Sequence, residues 1–179
     1  MTLTLVLGGV SSGKSRFAVE LAAKAGGEIT VVATGRATDA EMATRIDAHR
    51  EQRPPGWRLI EEALDLSRAA QAGTVLLDSV DGWLANQMES GGGADQRWTR
   101  ERLADLEEHC AATIDDLARD RRLIAVSSEV GLSLVSLHPY GRAFTDALGR
   151  LNQRLAARSE RSYLVVAGVP IRLDARESL

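Results

Sequence analysis

The residues best suited to chemistry stand together near the start of the chain, in the run Gly8, Gly9, Val10, Ser11, Ser12, Gly13, Lys14 and Ser15. Glycines let a backbone curl until successive N–H groups point into one concavity, which suits a phosphate anion. The lysine that follows offers a compact ammonium on a flexible stem to the β- and γ-phosphates of a nucleotide. The serine hydroxyl is a fitting ligand for Mg²⁺. The spacing is G-x-x-x-x-G-K-[ST], the signature of a phosphate-binding loop when a strand precedes it and a helix follows. Thr2–Leu7 is an apolar run of strand length, and the residues from Lys14 to Ala25 have helical period and stop at Gly26-Gly27. The sequence therefore predicts a site for ATP or GTP.

Two further places add chemistry. Val75-Leu76-Leu77-Asp78 is an apolar strand ending in a carboxylate, the arrangement that holds the nucleotide's metal, so Ser15 and Asp78 form the expected Mg²⁺ pair. His49 falls on a helical stripe with Met42 and Ile46, with Arg45 four residues before it and Arg53 four after, and Arg50 beside it. The residues alone leave two readings open. His49 is either the edge of a core-facing stripe or an imidazole nucleophile whose phosphate target is clamped by guanidiniums. Glu129 ends another strand beside Gly131, where a carboxylate either orients a hydroxyl or Mg²⁺ or is an ordinary loop acid. His138 precedes Pro139 in a loop that could cover a ligand, and His109 lies on an acidic, solvated helix.

The elements that must position these groups alternate between strand and helix, the pattern of an α/β protein with a mainly parallel sheet. Strands are predicted at Thr2–Leu7, Glu28–Thr34, Thr74–Leu77, Leu123–Ser127 and Ser162–Ala167. Helices are predicted at Lys14–Ala25, from the capping-box signature Thr38-Asp39-Ala40-Glu41, over Glu61–Ala72, from Trp83 to Met88, over Thr99–Asp120 and over Tyr140–Ser159. Gly91-Gly92-Gly93 reads as a flexible loop, and the tail after Pro170 as short and polar. One domain spanning residues 1–179 accounts for the length.

Composition narrows the classes. A net charge of −3 provides no broad basic field, which argues against nucleic acid as a partner. The single cysteine, Cys110, excludes an internal disulfide framework and fits a reducing compartment. The amino terminus lacks the basic start of a signal peptide, and no apolar run approaches the roughly 18 residues of a membrane span. A cytoplasmic protein is expected. All but two of the 22 basic residues are arginine, and one of the two lysines, Lys14, falls in the phosphate loop.

Longer stretches carry a resemblance. Leu7–Ser15, Ala33-Thr34, the run from Asp39 to Arg50, Arg53-Pro54, Trp57, Ser128-Glu129-Val130-Gly131 and Gly149–Ala156 together make the chain similar to the bifunctional adenosylcobinamide kinase/adenosylcobinamide-phosphate guanylyltransferases of cobalamin biosynthesis. The similarity covers essentially the whole chain. It implies a single-domain P-loop fold with a RecA-like, mainly parallel sheet flanked by helices, and a trimeric assembly. Two reactions are implied. ATP or GTP phosphorylates the hydroxyl of adenosylcobinamide. GMP then passes from GTP to adenosylcobinamide phosphate through a guanylyl-histidine, giving adenosyl-GDP-cobinamide and pyrophosphate.

By the same resemblance His49 is the nucleophile. Lys14 serves both reactions, and the nucleotide contacts are Gly8–Ser15, Ala33, Thr34, Gly35, His49, Arg50, Glu51, Gln52, Glu61 and Asp78. The chain departs from the family at Ser128, where asparagine is frequent, and over Leu134–Tyr140, where a Val-Pro pair is usual. One rival is a small-molecule P-loop kinase without guanylyl transfer. Another is a GTP switch, but the guanine-reading Asn-Lys-x-Asp needs a lysine that neither Asn86 nor Asn152 is followed by.

Overall fold

The computed structural model describes residues 2–36, 54–69, 73–132 and 134–173. The predicted helix beginning near Asp39 lies outside the described residues, and with it His49, Arg50, Glu51 and Gln52.

The elements run β1 (Thr2–Gly8), α1 (Lys14–Ala25), β2 (Ile29–Ala33), β3 (Arg58–Glu61), β4 (Thr74–Asp78), α2 (Val80–Ser90), α3 (Arg100–Ala118), β5 (Arg122–Ser128), α4 (Pro139–Arg158), β6 (Arg161–Val166) and β7 (Val169–Arg172). All seven strands join one sheet in the order β3-β2-β4-β5-β1-β6-β7. Every pairing is parallel except that of β7 with β6. The expected α/β architecture, a mainly parallel sheet flanked by helices, is therefore the observed one.

Side-chain alternation explains why the central strands read as continuous apolar runs. Val75 and Leu77 of β4, with Leu123 and Ala125 of β5, face one core together with Trp83, Cys110, Ile114, Leu148 and Leu151 from α2, α3 and α4. Leu76, Ile124 and Val126 point the other way, onto Ala18 and Ala22 of α1. A strand covered on both faces has no polar side to show. Phe17 of α1 also meets Tyr163 of β6 edge-on, with ring centroids 5.1 Å apart, so α1 is held across several strands.

Helix starts follow their local chemistry. Ser79 Oγ accepts from Gly82 N at the head of α2 (3.2 Å), Thr99 Oγ1 accepts from Arg102 N at the head of α3 (3.3 Å), and Pro139 opens α4.

The structure corrects two readings. Over the described residues 61–69, the helix expected at Glu61–Ala72 is instead the end of β3 followed by a short 3₁₀ turn at Leu66–Ala69. Arg58–Glu61 pairs in register with Thr30–Ala33 at the sheet's edge, and its side chains are mostly exposed, so no apolar alternation marks it as a strand. The Glu62 carboxylate then accepts from the backbone N–H groups of Leu64 (3.0 Å) and Asp65 (3.1 Å) and bends the chain. Ile171 and Arg172, expected in a polar tail after Pro170, instead belong to the antiparallel strand β7, joined to β6 by a turn in which Ala167 and Gly168 both have positive φ (51° and 79°), and the residues beyond 173 lie outside the described ones. Proline is tolerated there because β7 is an edge strand.

Candidate nucleotide site

The phosphate loop leaves the C-terminal end of β1, between β5 and β6. Ser11 and Gly13 both take positive φ (55° and 92°), and this alternation of handedness turns neighbouring N–H groups toward a common centre. Gly8 is required by crowding: a Cβ there would stand 2.8 Å from the Val165 carbonyl oxygen and press on the Ser12 side chain. Gly13 heads α1 and has no side chain to cap it, so the N–H groups of the helix's first turn, with their partial positive charge, are available to an anion. Lys14 Nζ arches back over the loop and donates to the Gly9 carbonyl (3.1 Å). Ser12 Oγ is buried without a hydrogen-bond partner among the described residues, an unsatisfied donor within the loop.

Ser15 and Asp78, the pair expected from sequence to hold Mg²⁺, lie side by side. Ser15 Oγ, in the first turn of α1, donates to Asp78 Oδ1 at the end of β4, at 3.4 Å and across 63 residues of sequence. Two hard oxygens at one point fit Mg²⁺, which is ordinarily held by one or two protein oxygens together with phosphate oxygens and water.

Register places three more expected contacts in one row. Ala33 of β2 pairs with Glu61 of β3 on one side and with Asp78 of β4 on the other, all at the C-terminal edge where the phosphate loop lies. Thr34, one residue on, is buried and tightly held: its N–H donates to the Asp78 carbonyl (3.1 Å), and its Oγ1 donates to the Ser79 carbonyl (2.7 Å) and accepts from Ser79 N (2.9 Å). The chain passes through Gly35 and enters the segment 37–53 from this same edge. Glu129 reaches the edge as well, its N–H donating to the Gly8 carbonyl (3.1 Å), but its carboxylate accepts from Gly131 N (2.7 Å) and so shapes the next turn. His138 is the residue before α4 and its N–H donates to Ser136 Oγ, while His109 is exposed on α3.

Three positions that matter here were not anticipated in these roles. Gly168 donates its N–H to the Ser12 carbonyl (2.8 Å) and stands 3.3 Å from where a Gly13 Cβ would be, so the β6–β7 turn braces the phosphate loop from outside. Asn86, buried on α2, donates from Nδ2 to the carbonyls of Thr34 (2.8 Å) and Ala63 (3.1 Å), tying together the chain just beyond β2 and just beyond β3. Asp81 accepts from Ser128 N (3.1 Å) and Ser128 Oγ (2.9 Å), joining the head of α2 to the end of β5. Only the Ala167-Gly168 dipeptide, a possible tight turn, could have been noticed beforehand.

Comparison with known proteins gives the fold and the family. A type III secretion ATPase from pathogenic bacteria superposes with a TM-score of 0.54 at 9% identity, covering 91% of this chain and 50% of the other, which shows a shared fold. Residues 4–173 match the family model described as cobinamide kinase / cobinamide phosphate guanyltransferase. The chain is 41% identical over 174 residues to the bifunctional adenosylcobalamin biosynthesis protein CobP of Pseudomonas aeruginosa, covering 94% of this chain and 95% of the relative. It is 33% identical to the bifunctional adenosylcobalamin biosynthesis protein CobU of Escherichia coli, over 96% of this chain and 99% of the relative. Matched along nearly its whole length by the family model and by both relatives, the chain belongs to the cobinamide kinase / cobinamide phosphate guanyltransferase family.

Proposed function

We propose that this protein is a bifunctional transferase that phosphorylates adenosylcobinamide with ATP or GTP and then transfers GMP from GTP to the product. The observation that carries the reading is the meeting of Lys14, Ser15 and Asp78 around the curled phosphate loop, in a chain that matches the family along nearly its whole length. In the kinase step the substrate hydroxyl attacks the γ-phosphorus. The loop's N–H groups and Lys14 hold the phosphate oxygens as charge moves onto the leaving diphosphate. In the transferase step His49 attacks the α-phosphorus of GTP and pyrophosphate leaves. The cobinamide phosphate oxygen then displaces the imidazole from the guanylyl group. Arg50, Glu51, Gln52, Glu61 and the Ala33–Gly35 turn complete the nucleotide contacts in this reading. When bound at Ser15 and Asp78, Mg²⁺ supplies charge neutralisation at the phosphates. The same reading has the chain act as one domain within a cytoplasmic homotrimer, an assembly that sedimentation would check directly.

The test is incubation with Mg²⁺ and GTP labelled at the α-phosphate. Wild type should take up label that is lost in acid and retained in base, the behaviour of a phosphorus–nitrogen bond, and His49→Ala should take up none while keeping phosphoryl transfer. A folded wild type that never acquires label would leave a P-loop kinase without guanylyl transfer.

A further inference from the structure

Between β5 and α4 the chain presents aliphatic side chains to solvent at a density found nowhere else among the described residues. Leu132, Leu134, Val135 and Leu137 are 87%, 98%, 78% and 91% exposed. Single exposed aliphatics are ordinary, but four within the six residues 132–137 are not, and exposed apolar patches mark binding surfaces. The run from Val130 to Leu137 contains no charged residue.

The backbone carrying these side chains is anchored at both ends. The Glu129 carboxylate accepts from Gly131 N (2.7 Å) where the loop begins. Where it ends, Arg142 Nη1 donates to the carbonyls of Ser136 and Leu137 (2.9 Å each). Gly141 permits the close approach, since a Cβ there would lie 2.9 Å from Ser136 Cβ. The place is also specific. Ser128 pairs with Gly8 in the sheet and Glu129 N donates to the Gly8 carbonyl, so the loop starts beside the phosphate loop. Leu132 is three residues past Glu129, a span of at most about 10 Å. On the phosphate loop itself Val10 is also an exposed aliphatic residue, at 75%.

We infer that this loop is the docking face for the corrin macrocycle of the phosphoryl acceptor. The inference rests on the function proposed above and adds where the acceptor's ring lies. A corrin ring is broad, methyl-rich and fringed with neutral amides, so it needs an uncharged aliphatic platform rather than ion pairs. A kinase must bring its acceptor hydroxyl alongside the donor phosphate, and this platform begins where the strand holding the phosphate loop ends. Leu132, Leu134, Val135 and Leu137 bear on the ring while its hydroxyl-bearing arm extends to the nucleotide.

The experiment uses the full chain with dicyanocobinamide, followed by its visible absorbance, beside binding of a fluorescent GTP analogue and the mass in solution by light scattering. Leu134→Asp and Leu137→Asp should each weaken cobinamide binding by about tenfold or more and raise its KM, leaving kcat and GTP binding unchanged. Leu134→Gln and Val135→Thr give the same comparison with milder changes should an aspartate variant fail to fold. Cobinamide binding at wild-type strength in folded variants overturns the inference. So does a change of oligomeric mass with cobinamide KM unchanged, which would make the face a contact between copies of the chain. A wild type that binds GTP but no cobinamide overturns the proposed function itself, and that result is seen before any variant is made.

Discussion

Asn86 offers a quantitative test of how the site is held. It is 8% exposed and its amide nitrogen serves two carbonyls, Thr34 O at 2.8 Å and Ala63 O at 3.1 Å. Asn86→Leu keeps the volume similar but strands both acceptors. Each unsatisfied buried group costs about 1–3 kcal/mol, and the added leucine burial offsets part of the sum, so the expected loss is about 3 kcal/mol. For a chain of this size that lowers Tm by about 6–12 °C. The consequence for activity is asymmetric. Thr34 and Ala63 flank the connection that carries His49, whereas Lys14 and the phosphate loop hang from β1 and are braced by Gly168. A displacement of about 1 Å in a reacting group can cost about 100-fold, so guanylyl-enzyme formation should slow by about tenfold or more while phosphoryl transfer changes by about threefold or less.

The assay pairs urea unfolding, followed by tryptophan fluorescence, with single-turnover label uptake from α-labelled GTP. Gln87→Ala is the control, because Gln87 donates to Leu64 O from an exposed position and should cost less than about 0.5 kcal/mol. Asn86→Leu within about 0.5 kcal/mol of wild type would refute the energetic argument. Equal losses in both activities would refute the positioning argument and leave Asn86 a purely structural residue.

Three further outcomes are expected. Lys14→Ala should slow both transfers by about 100-fold or more, since the proposed function has one phosphate site serve both; a folded variant at normal rates in either would detach Lys14 from that reaction. Glu62 is held below its ordinary value of 4.5, chiefly by the Leu64 N–H and then the Asp65 N–H donating to its carboxylate, with desolvation opposing. A depressed carboxyl contributes stability that is fully present above 4.5 and lost as pH falls through its folded value, so Glu62→Gln should flatten the acid side of the stability profile and leave the neutral side alone. Parallel denaturant midpoints for both proteins below pH 4.5 would contradict this. Cys110 is fully buried, and burial first, with the Glu107 carboxylate second, pushes its thiol up to about 12. Iodoacetamide should therefore modify it only through unfolding, and rapid labelling of the native protein would show that the α3 side of the core opens locally.

The sequence by itself determined the phosphate-loop motif and the elements that flank it. That motif is short, contiguous and dictated by backbone geometry and charge, so Gly8–Ser15 was legible together with the strand before it and the helix after it. Asp78 was legible as a strand-terminal carboxylate, and the five inner strands as apolar runs, because burial on both faces leaves a one-dimensional trace. The tertiary structure alone decided which of these meet. The 3.4 Å approach of Ser15 to Asp78 depends on α1 packing across β4 and β5, and the alignment of Glu61, Ala33 and Asp78 depends on register between strands far apart in sequence. The edge strands β3 and β7 were missed for the converse reason: their side chains face water, so pairing of backbone N–H and C=O groups creates them without an apolar pattern. The bracing roles of Gly168 and Asn86 have no trace in the sequence for a related cause. Each acts through one hydrogen-bonding group whose partner is remote along the chain, and only folding brings donor and acceptor within reach.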